Sequence, residues 1–181
     1  MPDDDSRMIE LDAAREAIET LGLLRPAAAE TIARLLQGDI NEHPRALCTA
    51  YRKAGEQITD QEKSALGIKR NGFLSRIALN EIAPAGLADP LLAHEISLLR
   101  ASFVVNRYRR VQQASQLSRE LGPVFTGFPH TTLHSDCAAC NRLDGLVTTA
   151  DDAFIFPSAD CTCVTANYGL SAKLDWLADI D

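Results

Sequence analysis

Four of the five cysteines in this chain fall between Cys137 and Cys163, a span of 27 residues, in two close pairs: Cys137-Ala-Ala-Cys140 and Cys161-Thr-Cys163. No other feature restricts the fold as much. A soft divalent ion such as Zn²⁺ takes four thiolate or imidazole ligands near tetrahedral geometry. A CxxC turn supplies two of them from one knuckle, and a second pair on a distant strand or loop completes the cage. Here the second pair is CxC, a tighter bite than CxxC. The pattern predicts a structural zinc site at Cys137, Cys140, Cys161 and Cys163. A disulfide pair, a set of inert buried thiols and a catalytic site are the other uses open to these residues. His130 and His134 lie just upstream, and either can replace a cysteine ligand or support one through its second ring nitrogen.

The compartment bears on that choice. The chain starts Met1-Pro-Asp-Asp-Asp5-Ser-Arg, acidic and with no apolar run behind it, so no secretory leader is expected. No stretch of eighteen apolar residues occurs either, so no membrane span is expected. A reducing cytoplasm, or a virion assembled in one, favours metal-bound or catalytic thiols over a disulfide framework. Cys48 stands alone in a helical pattern and reads as a small buried hydrophobe.

With 181 residues and 46% hydrophobic content the chain can bury a real core. Its first 121 residues read as helices. Met8, Leu11, Ala14, Ile18 and Leu21 recur at helical spacing, Ile9 and Ala17 widen the stripe, and the pattern stops at Gly22. A second helix is expected from Ala27 to Gln37, and a third, opened by His43-Pro44, carries Leu47, Tyr51, Ala54 and Ile58 on one side. Thr59-Asp60-Gln61-Glu62 has the form of a capping box, and Phe73, Ile77, Ala78 and Ile82 mark a fifth segment. From Asp89-Pro90 to about Leu121 nothing breaks the pattern, which predicts one helix of roughly thirty residues, about 45 Å long. Its stripe Ile96, Leu99, Phe103 and Val104 is expected to pack on the N-terminal helices.

After Gly122 the helical period stops. Val124–Phe128, Leu146–Thr148, Phe154–Phe156 and Val164–Tyr168 read as strands, and Leu174–Leu177 as a closing short helix. The expected organisation is therefore mainly α: a helical domain over 1–121 with one long helix, then a small α+β zinc-knuckle-like module over 122–181. That module is too small to bury a core by itself, which is where a metal cage contributes folding free energy.

Charge separates the two regions. Residues 122–181 carry eight Asp against Arg142 and Lys173, whereas residues 1–121 are nearly balanced. An acidic tail is a poor grip for a phosphate backbone. The long helix is different: it carries Arg100, Arg107, Arg109, Arg110 and Arg119 with no acid among them. The bland reading is a solvated face. The sharper one is a partner-binding strip, with nucleic acid as a partner through residues 100–119, and intramolecular pairing with the acidic tail is the third.

Enzymatic motifs are scarce. Zinc deaminases need H-x-E and then P-C-x-x-C, but here His94-Glu95 are adjacent and Ser135-Asp136 precede Cys137, so general acid/base and third ligand are both missing. HExxH, a Walker lysine loop and GxGxxG are absent. A thiol activated by His130 or His134 is the remaining catalytic reading, which would make the protein a cysteine- or metal-dependent hydrolase.

The run Cys137-Ala-Ala-Cys140-Asn-Arg-Leu143-Asp144-Gly145, followed by Pro157 and then Asp160-Cys161-Thr162-Cys163, resembles the C-terminal part of Mu-type phage head-morphogenesis (minor capsid) proteins, with their C-x-x-C-x-x-L-D-G element, Pro-containing loop and C-R-C segment. The likeness covers about 30 residues, and it departs from the family at Pro157-Ser-Ala-Asp160, where His-Pro-Asn is usual, and at Thr162, where a basic residue is usual. It implies a non-enzymatic structural or assembly protein of a phage or prophage-like particle, with capsid or portal components as partners. A nucleic-acid-binding regulator that uses the arginine-bearing helix is the alternative class.

Overall fold

The computed structural model describes residues 4–38, 42–133, 136–149, 158, 160–165 and 168–177. The architecture is mainly helical, with one long helix followed by a small antiparallel sheet and the cysteines. The chain forms two compact units, residues 1–102 and 103–181.

In the first unit, α1 (Asp4–Leu21) ends at Gly22, whose φ of +64° is the left-handed conformation that closes a helix. Its buried face is Ala13, Ala14, Ala17 and Ile18, while Met8 is exposed. Ala14, Ala17 and Ile18 of the expected stripe are thus buried, with Ala13 added and Met8 left out. Small side chains let α2 (Ala29–Leu36) approach closely, and that gain outweighs burying a flexible methionine near the helix start. α3 (Pro44–Lys53) has Pro44 in its first turn, and the His43 ring nitrogen Nδ1 accepts a hydrogen bond from Arg45 N–H. α4 (Asp60–Ala65) opens with the expected capping box: Thr59 Oγ1 accepts from Glu62 N–H, and the Glu62 carboxylate accepts from Thr59 N–H at 2.8 Å. α5 (Arg76–Glu81) buries Ala78 and leaves Phe73 and Ile77 exposed.

The core here combines Ile18, Leu24, Ile32, Ile58, Leu74, Ile82 and Leu98 with the alanines. Inside it sits a polar knot centred on Glu81. Glu81 accepts hydrogen bonds from Thr31 (2.6 Å) and Tyr51 (2.8 Å), and His94 Nε2 lies 2.9 Å from the same carboxylate. These contacts join α2, α3 and α5 to the long helix, and they hold Glu81 below the usual carboxylate range against the opposing effect of its burial.

α6 runs from Pro90 to Leu121, 32 residues without a break. Ten of the thirteen positions from Ala93 to Val105 are buried, which is most of the helix circumference. Ile96 and Leu99 are only half-buried; Ala93, Leu98 and Ala101 face the first core instead. Phe103, expected on the N-terminal helices, joins the cysteines. The two compact units meet inside α6, between Ser102 and Phe103. The second half of α6 gives the small module the core it lacks.

In the second unit β1 (Phe125–Thr132) is the spine. β2 (Val147–Thr148) pairs antiparallel with it at Phe128↔Thr148 and Pro129↔Val147. β3 (Tyr168–Leu170) and β4 (Lys173–Leu174) follow one another antiparallel along β1, from Thr132↔Tyr168 to Phe125↔Leu174. Gly127 has φ +116°, and a Cβ there would lie 2.6 Å from Thr148 O, so the crossing of β1 and β2 requires glycine. Ala114, Leu117 and Leu121 of α6 cover Phe125, Phe128 and Leu174. The strand expected from Val164 begins at Tyr168, with Val164 and Thr165 in a bend. The expected helix at Leu174–Leu177 does not form: Leu174 pairs with Phe125 as strand, and Trp176 and Leu177 lie in a turn. Sheet pairing of Lys173 and Leu174 with β1 outweighs the weak helical preference of so short a segment. Phe154–Phe156 lie outside the described residues.

Candidate metal centre

The first half-site is built on α7 (Ala138–Asn141), a single turn with Cys137 as its N-cap residue. Asn141 N–H donates to Cys137 O at 3.0 Å and Arg142 N–H to Ala138 O at 3.1 Å. One helical turn places positions three apart on the same side, which brings the sulfurs of Cys137 and Cys140 together. The next three residues fix this knuckle to the sheet. Leu143 packs on the cluster, Asp144 Oδ1 accepts from Thr132 N–H at 2.7 Å, and Gly145, at φ +78°, donates to His130 O at 2.9 Å. The second half-site lies in an irregular segment. Cys161 N–H donates to Ser158 O, Ser158 Oγ donates to Asp160 Oδ1 at 2.8 Å, and Asp160 forms an ion pair with Arg142. Arg142 therefore clasps the second half-site to the first.

The four sulfurs of Cys137, Cys140, Cys161 and Cys163 lie within 4.8 Å of one another. Cys140 Sγ is 3.7 Å from both Cys161 Sγ and Cys163 Sγ. Sulfurs about 2.3 Å from a central ion in a tetrahedron are roughly 3.8 Å apart, so the set has the size a thiolate-bound metal needs. All four are free thiols, as is Cys48, so the disulfide alternative is not realised. Cys140 and Cys161 are buried, and Phe103, Ala139 and Leu143 surround them.

Electrostatics divides the sulfurs. Burial raises the Cys137 pKa, but backbone N–H groups of Cys140, Thr162 and Ala139 and the Cys140 thiol overcome it and bring it down to about 6. Burial pushes Cys140 up, and its hydrogen bonds with Cys163 and Cys161 push it further. Cys137 is thus poised as a thiolate while Cys140 holds its proton. A divalent ion resolves that conflict, since it favours the ionised form of every ligand. Cys48 is fully buried and its pKa is pushed up to about 12 by burial, as an inert core thiol should be.

His130 is not among the grouped ligand atoms. Its ring Nε2 meets Thr148 Oγ1 at 2.6 Å, its backbone N–H donates to Leu146 O, and burial keeps its pKa below the ordinary histidine value. It acts on the cluster through the backbone it fixes. His134 lies outside the described residues. Sequence reasoning missed Phe103, Thr132 and Arg142. Only Arg142, two residues after Cys140 and one of just two basic residues in the tail, carried a signal.

The arginines of α6 separate. Arg100 is buried (1% exposed) and leaves the basic strip: its position on the helix circumference points inward, a fact that charge counting does not see. Arg107 and Arg110 are half-buried, Arg110 over the Phe128 ring, whereas Arg109 and Arg119 are exposed.

The fold and site define a class: a mainly helical protein whose long helix leads into a small antiparallel sheet bearing a four-cysteine cluster at metal-binding distance. No protein-family model matches the chain, and neither a curated protein nor a solved structure resembles it. Among the described residues no helix is long and apolar enough to cross a membrane.

Proposed function

We propose that Cys137, Cys140, Cys161 and Cys163 hold one structural Zn²⁺, and that the protein is a non-enzymatic structural or assembly protein working through contacts with other proteins. The observation that carries this reading is the convergence of the four sulfurs within 4.8 Å of one another. Four thiolates close the coordination shell and leave no open position for a substrate, the arrangement of structural zinc sites. The bound ion would supply a cross-link between the α7 knuckle and the Cys161–Cys163 segment. Leu143-Asp144-Gly145 has a structural use here, tying that knuckle to β1, which is compatible with the likeness to phage head-morphogenesis proteins. On this reading capsid or portal components are the partners, and the protein works in the bacterial cytoplasm or the virion.

Elemental analysis of purified protein tests the metal: about one zinc per chain is expected, with sulfur neighbours near 2.3 Å by X-ray absorption. Metal-free protein with a folded module would overturn it. Reconstitution with purified capsid and portal proteins tests the assembly role. Incorporation of wild type but not of Cys140→Ser is expected, and particles that take up neither would remove that reading.

A further inference from the structure

We infer that the solvent face of the C-terminal half of α6 is a contact surface for the phosphate backbone of a nucleic acid, separate from the cysteine centre. Between Asn106 and Leu121 the helix is two-sided. Ala114, Leu117 and Leu121 lie on the sheet. Arg109, Gln112, Gln116 and Arg119 are all exposed, and their spacing of three, four and three residues keeps them within one narrow stripe on the other side. Arg109 and Arg119 stand ten residues apart, about 15 Å along the axis, with two carboxamides between them. No carboxylate occurs from Ile96 to Arg119. The one acid at the end of the stripe, Glu120, accepts a hydrogen bond from Gln116.

The chain's own acids do not neutralise this face among the described residues. Asp144 is taken by Thr132 N–H, Asp160 by Arg142 and Ser158, and Asp175 by Leu177 N–H. Arg109 has no hydrogen bond or ion pair there, and Arg119 uses one N–H, from Nε to Ser115 O, leaving its terminal nitrogens for a ligand. Guanidinium groups with carboxamides between them, with Glu120 at the end as the one adjoining carboxylate, suit phosphate oxygens, whereas an acidic peptide would need no carboxamide ladder. Contacts of this kind position without reading sequence, so the preference is for the polyanion and not for a base order.

Two arginine contacts release about two counterions, which predicts a log–log salt slope near −1.8 for duplex DNA and −1.4 for a single strand. Fluorescence anisotropy with a labelled 20-base-pair duplex and with oligo(dT) measures it on the whole chain. Affinity is expected to fall roughly tenfold between 50 and 200 mM salt. Arg109→Gln/Arg119→Gln should lose at least tenfold in affinity at 50 mM salt together with most of the slope. Arg109→Lys/Arg119→Lys, which keeps both charges, should retain the slope, and circular dichroism checks that each variant is folded. An absence of binding by wild type at 50 mM salt overturns the inference. So does an unchanged slope in the glutamine variant. Sedimentation at low salt closes the remaining route: self-association abolished by the glutamine pair, without any nucleic-acid binding, would assign the stripe to the acidic tail of a second copy. Zinc content is independent of all these outcomes.

Discussion

Phe103 shows at the residue scale how a helix position acquires its task. It is 2% exposed and packs with Ala139, Cys140 and Cys161, so its ring shields the buried half of the cluster. Phe103→Ala should cost about 3–5 kcal/mol, measured by urea denaturation monitored within the cysteine module. A loss below about 1 kcal/mol would mean that the aromatic ring is not a core element there. The sulfurs make a second prediction. Hydrogen bonds hold Cys137 below the ordinary thiol value, and burial with its thiol neighbours holds Cys140 above it, so Cys140 carries a proton that metal binding must displace. Zinc addition at pH 7 in weak buffer should therefore release protons, and zinc affinity should fall as pH drops through 6, where Cys137 also takes up a proton. Pairing a pH indicator with a zinc competitor measures both. Proton-free uptake would show that the thiols are not the ligands.

At the scale of elements, the helices are held by terminal chemistry as well as by the core. The Thr59–Glu62 box starts α4, and Arg76 grips Glu62 with two hydrogen bonds, 2.6 and 3.1 Å, which carries α4 to α5. Thr59→Ala should cost about 1 kcal/mol, read as a shift in the thermal midpoint. Those contacts, Arg76 first and then Thr59, lower the Glu62 carboxyl to about 2. A depressed carboxylate stabilises the fold above its unfolded value of about 4.3, and that contribution is lost as pH falls toward 2. In Arg76→Gln the Glu62 midpoint, followed by NMR, should climb back toward 4. The box and the long helix were both legible in the sequence, because capping and uninterrupted helical period are local. The burial face of α1 was legible in part: Ala14, Ala17 and Ile18 are buried as expected, but Ala13 joins them and Met8 does not. Met8 is more hydrophobic than Ala13, but how closely α2 approaches decides which side is buried, and no window of α1 encodes that. Leu174–Leu177 failed as a helix for the same reason: strand or helix was settled by a partner, β1, fifty residues away in sequence.

On the scale of the whole molecule, the chain consists of two units whose cores draw on one continuous helix. The first unit keeps its own core and its Glu81 polar knot, whereas the second has a small sheet, a patch on α6 and the cysteines. Cys140→Ser should therefore unfold the cysteine module and leave most of the helical circular dichroism signal, because the first unit buries a core of its own. Leu143 should become exposed; Trp176, already 68% exposed, should hardly change its fluorescence, so tryptophan is the wrong probe for this transition. Global loss of helical signal would show that the first unit depends on the metal. The sequence alone determined the helical body, the break-free span of α6 and the two cysteine pairs, since each rests on local spacing, on helix breakers or on residue chemistry. The tertiary structure alone decided that Arg100 is buried, that the units part within α6, and that Phe103, Arg142 and Thr132 support the cluster. Those outcomes depend on which surfaces meet across long stretches of chain, and packing free energy of that kind has no local signature.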